Sequence, residues 1–177
     1  MQDNNPEATY LNNNIKADLT EAVKICKKLC EYGVKLIDIS ASSPSVHLFG
    51  PEPSDQNYRK YVSSTDLLEA VKQLKQQVPD AVFMCTGISA FSDLGTEIGA
   101  GGIRDGWFDI AGFGRQALAY PDFANDILSN SGMNPQKCCV GCDSCFKLMD
   151  PGHTMTGCIV RDSEIYLPVY KKKVLNR

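Results

Sequence analysis

Residues 107–122 read WFDIAGFGRQALAYPD. A mostly apolar run breaks at Gly112 and Gly114, meets Arg115, and passes into a helix-forming stretch that stops before Pro121. A strand that breaks into glycines and then a helix is the joint of a β/α unit. Proline suits the first helical position, so a new helical turn can start at Pro121.

The same order recurs upstream. VKLIDIS (34–40) and VFMCTGIS (82–89) each hold a short apolar run suited to a strand. The second is almost wholly apolar, which predicts a strand covered on both faces. Between the runs lie helical patterns. Leu19, Ala22, Val23, Cys26, Leu29 and Cys30 form a stripe from which Glu21, Lys24, Lys27 and Lys28 are excluded. Gly33 should stop that helix. Leu67, Leu68, Val71, Leu74 and Val78 form a second stripe, with Ser63 or Ser64 as its expected cap. The stretch ASSPSVHLFGPEPSDQNY (41–58) reads as a loop and 89–104 as a glycine-rich helix. Cys26, Cys30 and Cys85 fall within apolar patterns and are expected to pack as small hydrophobes. Strands alternating with helices imply a parallel sheet with right-handed crossovers. Two architectures satisfy this order: a small doubly wound sheet, or part of a (β/α)8 barrel.

Composition narrows the class. The chain has 177 residues, 43% hydrophobic and 22% charged, with net charge −3. One domain is expected at this length, burying about 70% of its unfolded surface. Weak acidity argues against a nucleic-acid surface, and no apolar run is long enough to span a membrane. The start, MQDNNPEATYLNNN, is polar and lacks the basic and apolar regions of a secretory signal, so a cytoplasmic protein is expected. Thiols stay reduced there, and clustered cysteines read first as metal ligands.

Two patterns carry chemistry. Gly87 and Ser89 follow one strand; Gly114 and Arg115 follow the next. Glycines let a phosphate approach backbone N–H groups, and Arg115 could add a charge-assisted bond. In barrels the phosphate site commonly follows the seventh and eighth strands. The plain alternative is that the glycines only make turns and Arg115 pairs with an acid. No GxGxxG opens the first strand-to-helix turn, so an ordinary dinucleotide fold gains no support.

The second pattern is KCCVGCDSCFKLMDPGHTMTGC (137–158), which holds five of eight cysteines. Cys139, Cys142 and Cys145 form C-x2-C-x2-C, and Cys158 follows after twelve residues. Such a run with a distant fourth cysteine suits a ferredoxin-type [4Fe–4S] cluster. Structural zinc more often takes two separated C-x2-C knuckles. Zinc, and redox disulfides or free thiols, stay open as alternatives. Cys138 could replace Cys139, and His153 could bind or sit in an exposed PGHT turn.

DLTEAVKICKKLCEYGVKLIDIS, VFMCTGIS and GWFDIAGFGRQALAYPDFANDIL together resemble the later part of the Old Yellow Enzyme family of FMN-dependent NADH:flavin oxidoreductases. The cysteine segment resembles the family's iron–sulfur branch, which includes 2,4-dienoyl-CoA reductase and trimethylamine dehydrogenase. That branch has three residues between its second and third cysteines, where this chain has two. The resemblance covers about residues 18–165. It implies the C-terminal portion of a (β/α)8 TIM barrel, three parallel strands with helices, followed by a Cys-rich metal-binding segment. Gly87, Ser89, Gly114 and Arg115 would hold the FMN phosphate; Cys139, Cys142, Cys145 and Cys158 would hold a [4Fe–4S] cluster. NAD(P)H would be a hydride donor and an activated alkene the small-molecule substrate. The family's first four strands carry the flavin-ring contacts and the His/Asn pair for the substrate carbonyl. They would lie upstream of Met1, in an N-terminal barrel half missing from this chain, and His47 does not match that pair. The organisation expected is a polar lead-in (1–17), a partial FMN-binding barrel (18–130) and an iron–sulfur segment with a basic, solvated tail (131–177). Exposed strand edges would let such a chain associate with other copies. The competing class is a small α/β binding or scaffold protein whose four cysteines hold structural zinc.

Overall fold

The structure, a computed structural model, describes residues 18–40, 56–129, 132–149 and 155–175, without the side chains of 56–63. The lead-in, His47 and His153 lie outside the described residues. The chain is α/β and forms two compact units. The first holds residues 1–87 and 99–112; the second holds 88–98 and 113–177.

The first unit is built on a parallel three-stranded sheet, ordered β1 (Leu36–Ser40), β2 (Val82–Thr86), β3 (Ile110–Gly112). Helix α1 (Thr20–Glu31) precedes β1, and α2 (Gln56–Gln77) crosses over from β1 to β2. A 3₁₀ segment (Ile88–Leu94) and α3 (Gly95–Arg104) connect β2 to β3. Helix α1 buries Val23 and Cys26 and ends in a Schellman arrangement. Gly33 N–H donates to the Cys30 carbonyl (2.9 Å) and Val34 N–H to that of Leu29 (3.0 Å), with Gly33 at φ +90°.

Helix α2 begins at Gln56, so Ser63 and Ser64 lie inside it and do not cap it, and 56–58 are helical. Good helix formers such as Gln56, Arg59 and Lys60 carry the helix past the expected start. Ser64 is buried, and its hydroxyl donates to the Gly87 carbonyl, 3.3 Å away. Gly87 itself has φ +153°, and a Cβ there would lie 2.7 Å from Leu67 Cδ2, so only glycine fits.

The register assigns faces. Ile37, Phe83 and Cys85 are buried on one face, together with the α2 stripe of Leu67, Leu68, Val71, Leu74 and Val78. Leu36, Val82 and Ile110 share the opposite face and are 54%, 38% and 39% exposed. The expectation that VFMCTG is covered on both faces therefore holds for one face only. Alternation along β2 puts Phe83 and Cys85 inward and leaves Val82 outward. Lys75 on α2 pairs with Asp109 (2.9 Å), and the Asp109 carboxylate accepts the Phe83 N–H (2.7 Å), extending the ladder beyond β3.

Burial pushes the Cys85 thiol up to about 12, helped by the Asp38 charge; its ordinary value is 9.0. The folded state thus keeps a proton that the unfolded chain releases from about pH 9. Stability from this group is complete below that pH and declines as pH rises toward 12. The fall should reach about 4 kcal/mol at most. Urea unfolding across pH 8–11 should show the decline, and Cys85→Ala should flatten it. An equal alkaline slope in the variant would remove Cys85 as the cause.

The second unit contains α4 (Gly114–Ala119), α5 (Phe123–Leu128), α6 (Ser144–Leu148), α7 (Ser163–Tyr170) and a π-helical turn over Lys171–Leu175. Its core gathers Tyr120, Met133 and Cys138, with Phe113, Phe123 and Ile127 against them. Phe113 and Phe123 pack with ring centroids 5.3 Å apart. The basic end is helical over Lys171–Leu175 and buries no residue, while Tyr170 just before it is buried. Among the described residues, no helix is long and apolar enough to cross a membrane.

Candidate functional site

Ser89 is buried at the start of the second unit, and its Oγ accepts the Gln116 N–H at 3.2 Å. That bond joins the segment after β2 to the first turn of α4, which carries Gly114 and Arg115. Three of the four expected phosphate residues, Ser89, Gly114 and Arg115, therefore belong to one unit; Gly87 belongs to the other and closes β2 there. Arg115 Nη1 donates to Asp143 Oδ1. The side chain thus pairs with an acid, and that acid stands between Cys142 and Cys145.

Gln116 is fully buried. Its Oε1 accepts the Cys139 N–H (2.9 Å), and its Nε2 lies 3.7 Å from Met133 Sδ. Arg115 and Gln116, adjacent in sequence, so hold the cysteine loop at two points. Two more side chains hold it elsewhere. Thr156 Oγ1 donates to the Cys145 carbonyl (2.7 Å). The Arg161 guanidinium donates to the Cys138 carbonyl through Nε (3.1 Å) and Nη2 (2.9 Å). Arg161 also gives its backbone N–H to Cys158 Sγ (3.4 Å), as Gly141 does to Cys139 Sγ (3.4 Å). The loop turns on left-handed residues: Gly141 at φ +69° and Asp143 at φ +55°. Aspartate tolerates that conformation better than most side chains.

All eight cysteines are free thiols. The four expected ligands are near enough to sense each other's charge: Cys139 feels Cys142 and Cys158, and Cys145 feels Cys139 and Cys142. Burial is the largest influence on Cys139 and Cys145 and pushes both thiols up. The Arg115 guanidinium pulls both back down. Cys138 differs from them. It is fully buried in the Tyr120–Met133 core, and its thiol donates to the Asn134 carbonyl (3.3 Å).

Among the described residues, no three His, Cys, Asp or Glu side chains are gathered tightly enough to hold a metal ion as they stand. The donor chemistry nonetheless suits one. Four soft sulfurs lie in one neighbourhood, two of them already accept N–H bonds, and the Arg115 guanidinium is close to Cys139 and Cys145. Asp143, Gln116, Thr156 and Arg161 are contributors that spacing alone did not reveal. Asp143 and Thr156 lie within the 137–158 stretch and Arg161 three residues beyond it, whereas Gln116 is remote in sequence. Compared with protein-family models, curated proteins and solved structures, the chain matches none.

Proposed function

We propose that this chain carries the phosphate grip and the cysteine site of an FMN- and iron–sulfur-dependent oxidoreductase, of the kind found in the iron–sulfur branch of the Old Yellow Enzyme family. The observation that carries the reading is the meeting of two motifs on one short stretch: Arg115 and Gln116, at the strand-end turn, are bonded to Asp143 and Cys139. A flavin and a cluster that exchange electrons need such a shared scaffold. FMN would supply the redox chemistry, taking electrons from NAD(P)H or another donor and delivering hydride to an activated alkene.

The chain's own residues would bind and orient. The Ser89 hydroxyl, the Gly114 backbone and the Arg115 guanidinium would face the phosphate. Guanidinium has five N–H donors, and the Asp143 bond engages one of its nitrogens. The thiolates of Cys139, Cys142, Cys145 and Cys158 would hold a [4Fe–4S] cluster. The sheet of the first unit would be the C-terminal portion of a (β/α)8 barrel. Barrel interiors are lined by branched apolar side chains with helices outside, and the bare Leu36/Val82/Ile110 face opposite the helix-covered one suits that role.

Iron and acid-labile sulfide analysis after anaerobic reconstitution tests the reading, together with absorption. A brown protein with a broad thiolate–iron band supports it. A colourless protein with one zinc per chain supports the four-cysteine zinc scaffold instead. Complementation tests the barrel. The chain alone should neither hold FMN stoichiometrically nor reduce an enone, and its bare face and strand edges should make it associate. Co-expression with an N-terminal barrel half should give a soluble yellow-brown protein. A monodisperse monomer of this chain that binds FMN one-to-one and turns over would sink the proposal.

Arg115→Ala should weaken FMN retention in the complete enzyme by about 1.5–3 kcal/mol, the range for a charged hydrogen bond. Fluorescence titration of FMN into the stripped enzyme measures it. Equal affinity in variant and parent would remove Arg115 from the grip.

A further inference from the structure

We propose that Arg115 is a positioning residue for the cysteine site: through Asp143 it braces the C-x2-C-x2-C loop whose thiols would close on a metal. The inference rests on the reading of Cys139, Cys142, Cys145 and Cys158 as ligands. It assigns Arg115 a task beyond the phosphate.

Asp143 is the hinge of the loop. It lies one residue after Cys142 and two before Cys145, at φ +55°, immediately before α6. How the two thiols are presented depends on that left-handed residue. A left-handed aspartate costs free energy unless something holds it. Its carboxylate is held by Arg115, a residue 28 positions upstream, in an ion pair with both side chains mostly covered. Gln116, the next residue, accepts the Cys139 N–H, so the loop is fixed at Cys139 and at Asp143 from a single short base. Neither residue offers a sulfur or a free carboxylate to a metal, so their contribution is geometric and electrostatic. Four thiolates outweigh the charge of a divalent ion, and a cation at their edge offsets the excess.

The test is anaerobic cobalt(II) titration of the full chain, read by thiolate-to-cobalt charge transfer. Arg115→Gln and Asp143→Asn should each weaken cobalt(II) binding by about 10- to 100-fold, the usual effect of removing an outer partner of a metal ligand. The double variant should be no weaker than either single, because both remove the same contact. Arg115→Lys should recover part of the affinity. A merely structural role would give no such rescue. Circular dichroism checks each fold; if Arg115→Gln unfolds, the Asp143→Asn variant decides.

Parent-like cobalt affinity in folded Arg115→Gln or Asp143→Asn overturns the inference. So do single effects that multiply in the double variant. A parent chain that takes up no cobalt through its thiols overturns the ligand reading itself, and the inference with it. Uptake by the parent with unaffected variants overturns only the positioning role.

Discussion

Gln116→Ala is expected to cost about 3–5 kcal/mol of folding stability, a large share of what holds a domain of this size. Two terms add. Removing Oε1 leaves the Cys139 N–H without its acceptor, and an orphaned donor away from water costs about 1–3 kcal/mol. Removing the rest of a side chain with no exposed surface leaves a cavity beside Met133, worth about 2 kcal/mol or more. Gln116→Met separates the two terms, because it fills the volume but offers no good acceptor. It should lose only the first. Chemical denaturation of both variants gives the comparison. If Gln116→Ala lies within about 1 kcal/mol of the parent, the amide is not the pin described.

On the proposed assignment, loss of any one of the four candidate ligand cysteines should abolish metal incorporation. Cys139→Ser, Cys142→Ser, Cys145→Ser and Cys158→Ser are each expected to leave the reconstituted chain without stoichiometric iron and sulfide, since a hydroxyl is a poor stand-in for a thiolate toward soft iron. Cys138→Ser should keep the cluster. Its thiol faces the Tyr120–Met133 core and the Asn134 carbonyl, and serine can make the same bond. Its cost should appear as reduced stability, about 1 kcal/mol, from placing a more polar group in that core. Cys138→Ser losing the cluster while Cys139→Ser keeps it would reverse the assignment. Metal uptake should also strengthen as pH rises. The Cys139 and Cys145 thiols are held up by burial and must surrender protons to bind.

Several features were legible in the residues. The apolar runs at 34–40, 82–87 and 107–112 gave the order of the three strands, and the stripes between them gave the helices. Cys26 and Cys85 pack as small hydrophobes, and Gly33 closes α1 as its position implied. What stayed hidden depends on partners far along the chain. Ser64 looks like a cap because cap residues and buried interior serines share one chemistry; its acceptor lies 23 residues away. The strand VFMCTG is apolar on both sides, and composition does not say which side another element covers. Gln116 sits in GRQALA like any helix-surface glutamine, and only the fold turns it inward onto Cys139. Asp143 reads as a spacer between cysteines until Arg115 meets it. The side chains that shape the cysteine loop follow no spacing rule.

Trp107 is the only tryptophan, and Lys72 Nζ stands 4.7 Å from its ring centroid in the first unit. The candidate ligand thiols all lie in the second. The molecule therefore contains one native optical reporter, indole emission for the sheet, and the proposed metal would add a second, thiolate–metal absorbance for the cysteine loop. Melting followed in both channels measures cooperativity directly. Superimposed transitions would mark one all-or-none block, and separated transitions would mark two foldons that open independently. With the proposed metal bound, chelation should move the absorbance channel at once, and any shift of the tryptophan channel would measure coupling between the two units.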